Sequence, residues 1–256
     1  MVLLANPHDA SGFHSNIAFD VQGPVCADIL EAERAAAAFS GRDVPTHVMD
    51  KWTDSEGSST ARLVTEGGIR TALIDELDAM GAGDRVDIAM FYLSGCRVIG
   101  AIKAATRRGA AVRLLLDPNK DAFGRQKGGI PNRQVARELI ALGEIGIGEG
   151  AIEVRWYDTY GEQFHTKMLA FHTARGTTLL GGSANITRRN LGDYNLEADL
   201  LVRASAPLAA QASDYFERPW SNDGGRFSVA YEAYADDSWV KRAIYRPQEF
   251  TGLSSY

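Results

Sequence analysis

His165 and Lys167 stand two residues apart. On an extended strand that spacing turns both side chains to one face. An imidazole can attack phosphorus or carry a proton near neutral pH, and an ammonium supplies fixed positive charge for a phosphate oxygen. A Gly182-Ser183 turn and Asn185 follow and add neutral hydrogen-bond donors. Glu197, two residues beyond Asn195, brings a carboxylate able to hold an imidazole in one orientation and tautomer. These residue types describe a site for phosphodiester chemistry that needs no metal. His-x-Lys alone arises by chance on many half-exposed strands, so the inference rests on the ordered set.

That ordered set resembles the phospholipase D superfamily motif: His-x-Lys-x4-Asp, then Gly-Ser-x-Asn, then Asn-x-Glu. His165, Lys167, Gly182, Ser183, Asn185, Asn195 and Glu197 match it, while the motif's aspartate falls on His172. His172 lies an odd number of residues beyond His165, so a continuing strand points it to the other face. It reads as a structural substitute, and His172→Asp is expected to leave activity equal or higher.

The resemblance implies an α/β fold, a phospholipase D-like repeat with a mixed or parallel sheet flanked by helices. It implies two-step transfer through a phosphohistidine: one histidine attacks, and a second, from another repeat, protonates the leaving oxygen. Water then gives hydrolysis and an alcohol gives phosphatidyl transfer. The implied catalytic residues are His165, Lys167, Ser183, Asn185 and Glu197. Candidate substrate contacts are Asn6, Gly182, Lys120 and Arg188. No metal and no cofactor is expected. A phospholipid, as for a cardiolipin-synthase-like enzyme, is the first substrate reading. The alternatives are a nuclease of the same superfamily, or a catalytically weak half that scaffolds a partner repeat.

Alternating elements must position these residues. Strands are expected at 85–92, 111–117, 152–157, 163–171, 177–180 and 195–202, with helices at 99–108 and 132–142, the second with Asn132 as its N-cap. Strand-helix-strand alternation predicts a mixed or parallel sheet covered by helices. Residues 1–21 also resemble 180–200 at a constant offset of 179, which aligns Asn6 with Asn185, Asn16 with Asn195 and Asp20 with Asp199. Each copy is followed by a helix opening at a proline, Pro24 or Pro207. The expected organisation is therefore 1–63 as the C-terminal end of a truncated first repeat plus a linker around Ser55–Ser59, 64–203 as the phosphodiesterase domain, and 204–256 as a helix and aromatic-rich tail. An upstream repeat or a homodimer mate would complete the site.

The loop from Asp117 to Gly129 follows the carboxyl end of a strand, where ligand crevices of open sheets form. Its Lys120, Arg125 and Lys127 either meet a head group or remain solvated. His8 and His14 lie in the counterpart of the catalytic turn and read as ordinary loop residues. The net charge of −6 and pI near 5.4 argue against a nucleic-acid coat without excluding a local basic groove. Two distant cysteines, Cys26 and Cys96, read as small, reduced and buried, and the five histidines make no zinc set with them. No apolar run approaches a membrane span and no signal peptide is evident, which points to a cytoplasmic protein or one peripheral to a membrane. Dense aromatics in the tail are expected to pack a sheet edge or interface, with membrane-surface contact as the other use.

Overall fold

The computed structural model describes residues 2–3, 12–43, 58–122, 125–144 and 150–251. Asn6, His8 and most of the expected linker lie outside the described residues. In chain order the strands are β1 (Val2–Leu3), β2 (Ala18–Phe19), β3 (Thr60–Thr65), β4 (Arg85–Met90), β5 (Ala111–Leu116), β6 (Asp121–Ala122), β7 (Arg125–Gln126), β8 (Ile152–Tyr157), β9 (Lys167–Thr173), β10 (Gly176–Gly182), β11 (Ala198–Arg203) and β12 (Ser228–Ala230). The helices are α1 (Val25–Phe39), α2 (Glu66–Asp78), α3 (Cys96–Arg107), α4 (Asn132–Glu144), α5 (Arg188–Leu191), α6 (Ala206–Ser221) and α7 (Trp239–Thr251).

Eight strands form one mixed sheet in the order β12-β8-β5-β4-β9-β10-β11-β3. β4, β5 and β8 run parallel, and the remaining pairings are antiparallel. The parallel strands are joined through α3 and α4, as right-handed crossovers require a covering helix. Val86, Ile88 and Met90 of β4, with Leu169 and Phe171 of β9, face a core shared with α2, α3 and α4. The opposite face buries Ala170, Leu179, Leu200 and Val202 against Val25 of α1 and Ala212 of α6. Helices thus cover both faces, which explains why the central strands read as nearly continuous apolar runs.

Several expected boundaries move. β9 begins at Lys167 rather than 163, and His165 sits on the extended approach to it. β3 and α2 precede the first expected strand, with β3 closing the sheet edge beside β11. Asn132 opens α4, but its side-chain oxygen accepts from Leu93 N–H at 2.8 Å instead of capping its own helix. The tail does pack a sheet edge. β12 pairs with β8, the Trp156 indole donates to Tyr231 C=O at 2.8 Å, and Tyr231 stacks on that indole. Cys26 is half-buried, whereas Cys96 is exposed at the start of α3, contrary to the expectation of a buried pair; both are free thiols. Among the described residues, no helix is long and apolar enough to cross a membrane.

β1 pairs antiparallel with β2 and is followed by α1; β10 pairs antiparallel with β11 and is followed by α6. The register differs: Val2 faces Phe19, whereas Gly181 faces Leu200.

His172 does leave the face of Lys167. Its Nε2 meets Asp87 Oδ2 of β4 at 3.1 Å and its Nδ1 meets Thr177 Oγ1 at 3.1 Å. Asp87 also accepts both arms of a forked bond from Arg113, at 2.7 and 2.8 Å, and Arg113 reaches Glu217 of α6 at 2.7 Å. Burial pushes the Asp87 carboxyl upward, but the bonds from His172 and Arg113 outweigh it and hold the group below its usual range. The carboxylate of this cluster therefore stands on β4, and β9 supplies its donor. That corrects the expectation for His172→Asp, which would set a second carboxylate against a buried one. The variant is predicted to lose about 3 kcal/mol or more of stability in denaturant titration, while His172→Gln, which keeps a donor, loses less.

Candidate active site

The site lies where the carboxyl ends of β4, β5 and β10 meet the amino ends of β9 and β11. A buried polar network ties these ends together. Asp117, just past β5, accepts from Phe164 N–H at 2.8 Å and Asn119 N–H at 2.6 Å. Asn132 donates to Phe91 C=O and Asp117 C=O, both at 2.8 Å, and its backbone N–H donates to Asn119 Oδ1 at 3.2 Å. Asn119 adopts φ of 47°, a left-handed conformation that asparagine tolerates. Burial pushes Asp117 up to about 6 despite these donors. The network fixes Phe91, whose ring packs on His165, and Phe164, which precedes it in the chain.

Lys167 is 2% exposed, at the first position of β9, opposite Met90. Its Nζ donates to His165 C=O at 2.8 Å and stands 3.2 Å from each ring nitrogen of His165. The Phe91 ring packs against that imidazole with centroids 4.8 Å apart and lies 5.4 Å beneath the ammonium. Burial pushes Lys167 down to about 7; Glu197, Asp199 and Asp117 oppose the shift without cancelling it. Asp199, buried on β11, is pushed up to about 7 by burial, and Ala184 N–H donates to it at 3.1 Å. Among the described residues, the N-terminal segment brings Asn16 and His14 to the imidazole. Asn16 Oδ1 lies 3.0 Å from His165 Nδ1, and the His14 ring centroid is 6.0 Å away.

The Gly-Ser turn follows β10. Gly182 cannot carry a side chain, because a Cβ would stand 2.2 Å from Ala198 C=O and 2.4 Å from Asp199 Oδ1. Ser183 Oγ donates to Glu197 Oε2 at 2.5 Å and accepts from Ala198 N–H at 3.0 Å. Asn190 donates to the other oxygen, Glu197 Oε1. Among the described residues, Glu197 is engaged by Ser183 and Asn190, and the acceptor at His165 Nδ1 is the Asn16 amide oxygen. Asn185 Oδ1 accepts from Tyr92 N–H at 3.2 Å, which ties this turn to the end of β4.

A family model described as "Cardiolipin synthase, PLD-like domain" matches residues 73–220, more than half of the chain. The chain belongs to the phospholipase D superfamily. No curated protein sequence matches it. Among solved structures, phosphatidylserine synthase from Haemophilus influenzae is similar over 88% of this chain and 52% of its own, at 12% identity and a TM-score of 0.51, which shows the shared fold. Nuc from Salmonella typhimurium, a phospholipase D family member, aligns over 64% of this chain and 95% of its own, at 16% identity and a TM-score of 0.49. NucT from Helicobacter pylori aligns over 68% and 99%, at 15% identity and 0.47.

Within this phospholipase D-like fold, the structure brings His165, Lys167, Gly182, Ser183 and Asn185 to one end of the sheet, with Glu197 behind Ser183. Two of the expected substrate contacts lie against aromatic rings of the tail. Lys120 meets the Tyr234 hydroxyl at 3.2 Å and lies over that ring, on the side of the tail. Arg188 lies over the Phe250 ring, and its backbone N–H donates to Glu249 at 2.5 Å. Lys127 is the loop cation on the Tyr92 hydroxyl, next to Phe91. Asn6 lies outside the described residues. Among the described residues, no three His, Cys, Asp or Glu side chains converge to hold a metal ion.

Sequence reasoning did not single out Phe91, Asp117, Asn119 or Asp199. Asp117 carried one signal, a lone acid closing an apolar strand before Pro118. Asp117→Asn is predicted to cost about 1–3 kcal/mol at neutral pH, since an amide nitrogen must then face a backbone N–H. A thermal or urea melt beside wild type measures it; the gap should widen below pH 6, because protonating a carboxyl whose pKa is raised in the folded state stabilises the wild type while the amide variant gains nothing.

Proposed function

We propose that this protein is a phosphodiesterase or phosphatidyltransferase that works through a phosphohistidine on His165, and that its substrate is a phospholipid. The observation that carries this reading is the buried Lys167 ammonium 3.2 Å from both ring nitrogens of His165. A nucleophile and a fixed cation then share one phosphate-sized space. In the first step His165 nitrogen bonds to phosphorus and the bond to the leaving oxygen breaks. That oxygen takes a proton from an acid, which the family resemblance assigns to a second histidine. In the second step water or an alcohol bonds to phosphorus, passes its proton to that same second histidine, and the nitrogen–phosphorus bond breaks to free His165. Lys167 and the Asn185 amide stabilise the phosphoryl oxygens as charge builds.

His14 is unsuited to the acid role. Its Nδ1 accepts from Gln163 N–H at 3.1 Å, which favours a neutral ring with the proton on Nε2. Giving up that proton would leave an imidazolate. A second imidazole from another phospholipase D-like repeat or a second copy of this chain fits better.

The acidic net charge of −6 favours a lipid over a polyanionic nucleic acid. Phe13, Tyr194 and Leu196, all exposed on loops near His14 and Glu197, are suited to a membrane surface. The similarity in fold to a phosphatidylserine synthase agrees with this choice. The test is release of head group from phospholipid vesicles, beside cleavage of single- and double-stranded DNA, with wild type and His165→Ala. Lipid turnover that vanishes in His165→Ala and persists in chelator is expected. DNA cleavage alone supports the nuclease alternative, and full activity of His165→Ala rules the mechanism out.

A pH dependence follows. Lys167 is charged below about 7, so kcat/KM, which reports the free enzyme, should fall as pH rises through that value. The limb in kcat should lie higher, because a bound anionic diester favours the ammonium. A flat kcat/KM between pH 6 and 9 contradicts a role for the Lys167 charge.

A further inference from the structure

Lys167 Nζ is equidistant from the two ring nitrogens of His165, at 3.2 Å from each, so it does not decide which of them attacks. We propose that Asn16 decides it: its side-chain carbonyl holds His165 as the Nδ1–H tautomer and directs the Nε2 lone pair at phosphorus. This rests on the reading of His165 as nucleophile.

The segment carrying Asn16 is docked along the approach to β9. Ser15 N–H donates to Gln163 C=O at 3.1 Å, Ser15 and Phe164 form a parallel bridge, and the Thr166 hydroxyl donates to Ser15 C=O at 3.3 Å. Tyr215 of α6 backs that hydroxyl at 2.7 Å. Parallel neighbours share a face at alternate positions, so His14 and Asn16 stand on the side of Gln163 and His165. The Asn16 amide is oriented by its other end, since Nδ2 donates to His14 C=O at 3.2 Å. Its Oδ1 therefore faces His165 Nδ1, at 3.0 Å. An amide oxygen only accepts, so the hydrogen of that contact belongs to Nδ1.

An amide also differs from a carboxylate in its electrostatics. It orients the ring without favouring the imidazolium, which has no Nε2 lone pair to offer. Among the described residues, the charged and titratable groups that meet the ring are Lys167 on β9 and His14 beside it. Asp117, Glu197 and Asp199 act on Lys167. Asn16 contributes no charge to this set, which keeps the nucleophile available toward lower pH. The sequence offered Asn16 only as the repeat counterpart of Asn195.

The experiment pairs two readouts on the full chain. Imidazole nitrogen shifts from 15N NMR, assigned with His165→Ala, report the tautomer without any need for turnover. Wild type should show Nδ1–H at His165, and Asn16→Ala should shift it to Nε2–H or to a mixture. With a chromogenic phosphodiester, Asn16→Ala should lower kcat about 10–100-fold with little change in KM, the usual effect of removing a group that orients a catalytic imidazole. Asn16→Asp keeps an acceptor and should retain turnover, with the acidic limb of kcat/KM moved to higher pH. Unchanged tautomer in Asn16→Ala, or an unmoved limb in Asn16→Asp, overturns the proposal. If Asn16→Ala does not fold, the Asn16→Asp limb decides. If wild type cleaves no phosphodiester, the proposed function fails while the nitrogen shifts still decide the orientation.

Discussion

A lysine ammonium kept out of water at the end of a sheet is the constraint on which the site depends. Lys167 is 2% exposed, and an isolated buried charge of that kind is costly. The surrounding structure compensates in two ways. The His165 carbonyl accepts from the ammonium at 2.8 Å, and Glu197, Asp199 and Asp117 favour its charge electrostatically. The compensation is partial, because burial still pushes the group down to about 7. A phosphodiester entering beside His165 would supply the missing negative charge. Binding and the development of charge at phosphorus would thus relieve a cost built into the fold, as a preorganised site does when it favours its transition state.

The arrangement demands rigid strand ends. β4 and β9 bring Met90 opposite Lys167, and the ladder continues into Phe91 N–H on Thr166 C=O at 2.9 Å. The Asp117–Asn119–Asn132 network anchors Phe91 from one side and Phe164 from the other. Gly182 lets β10 and β11 close tightly enough for Asp199 to reach Ala184 N–H. On the far face the Asp87–His172–Arg113–Glu217 cluster joins the same two central strands to α6. Most of these contacts join residues supplied by different elements, and those of Phe164 to Asp117 and of His172 to Asp87 span 47 and 85 residues.

That remoteness explains what could be read from the chain alone. The central strands and α3 were legible because apolar runs and glycine or proline stops are local signals. The reactive set was legible because His165, Lys167, Ser183, Asn185 and Glu197 fall in one ordered stretch. β3 and α2 escaped notice, since Thr60–Thr65 alternates weakly and pairs with a strand more than 130 residues away. The orienting role of Asn16 has no local signature either, because 149 residues separate it from His165. Lys120 stands out in sequence for its loop at the carboxyl end of a strand and Arg188 for its place just after Asn185, whereas Tyr234 and Phe250, the rings over which they lie, are remote in sequence. The opposite-face placement of His172 followed from strand periodicity, whereas its partner Asp87 required the strand order.

The central claim is covalent chemistry at His165, and trapping the intermediate tests it most directly. Purified protein mixed with a chromogenic phosphodiester, quenched within milliseconds at alkaline pH and digested, should yield a phosphoryl adduct on the peptide containing His165 by mass spectrometry. That adduct should be acid-labile and absent from His165→Ala. An adduct on another residue, or a burst of product with an unmodified His165 peptide, would contradict the account.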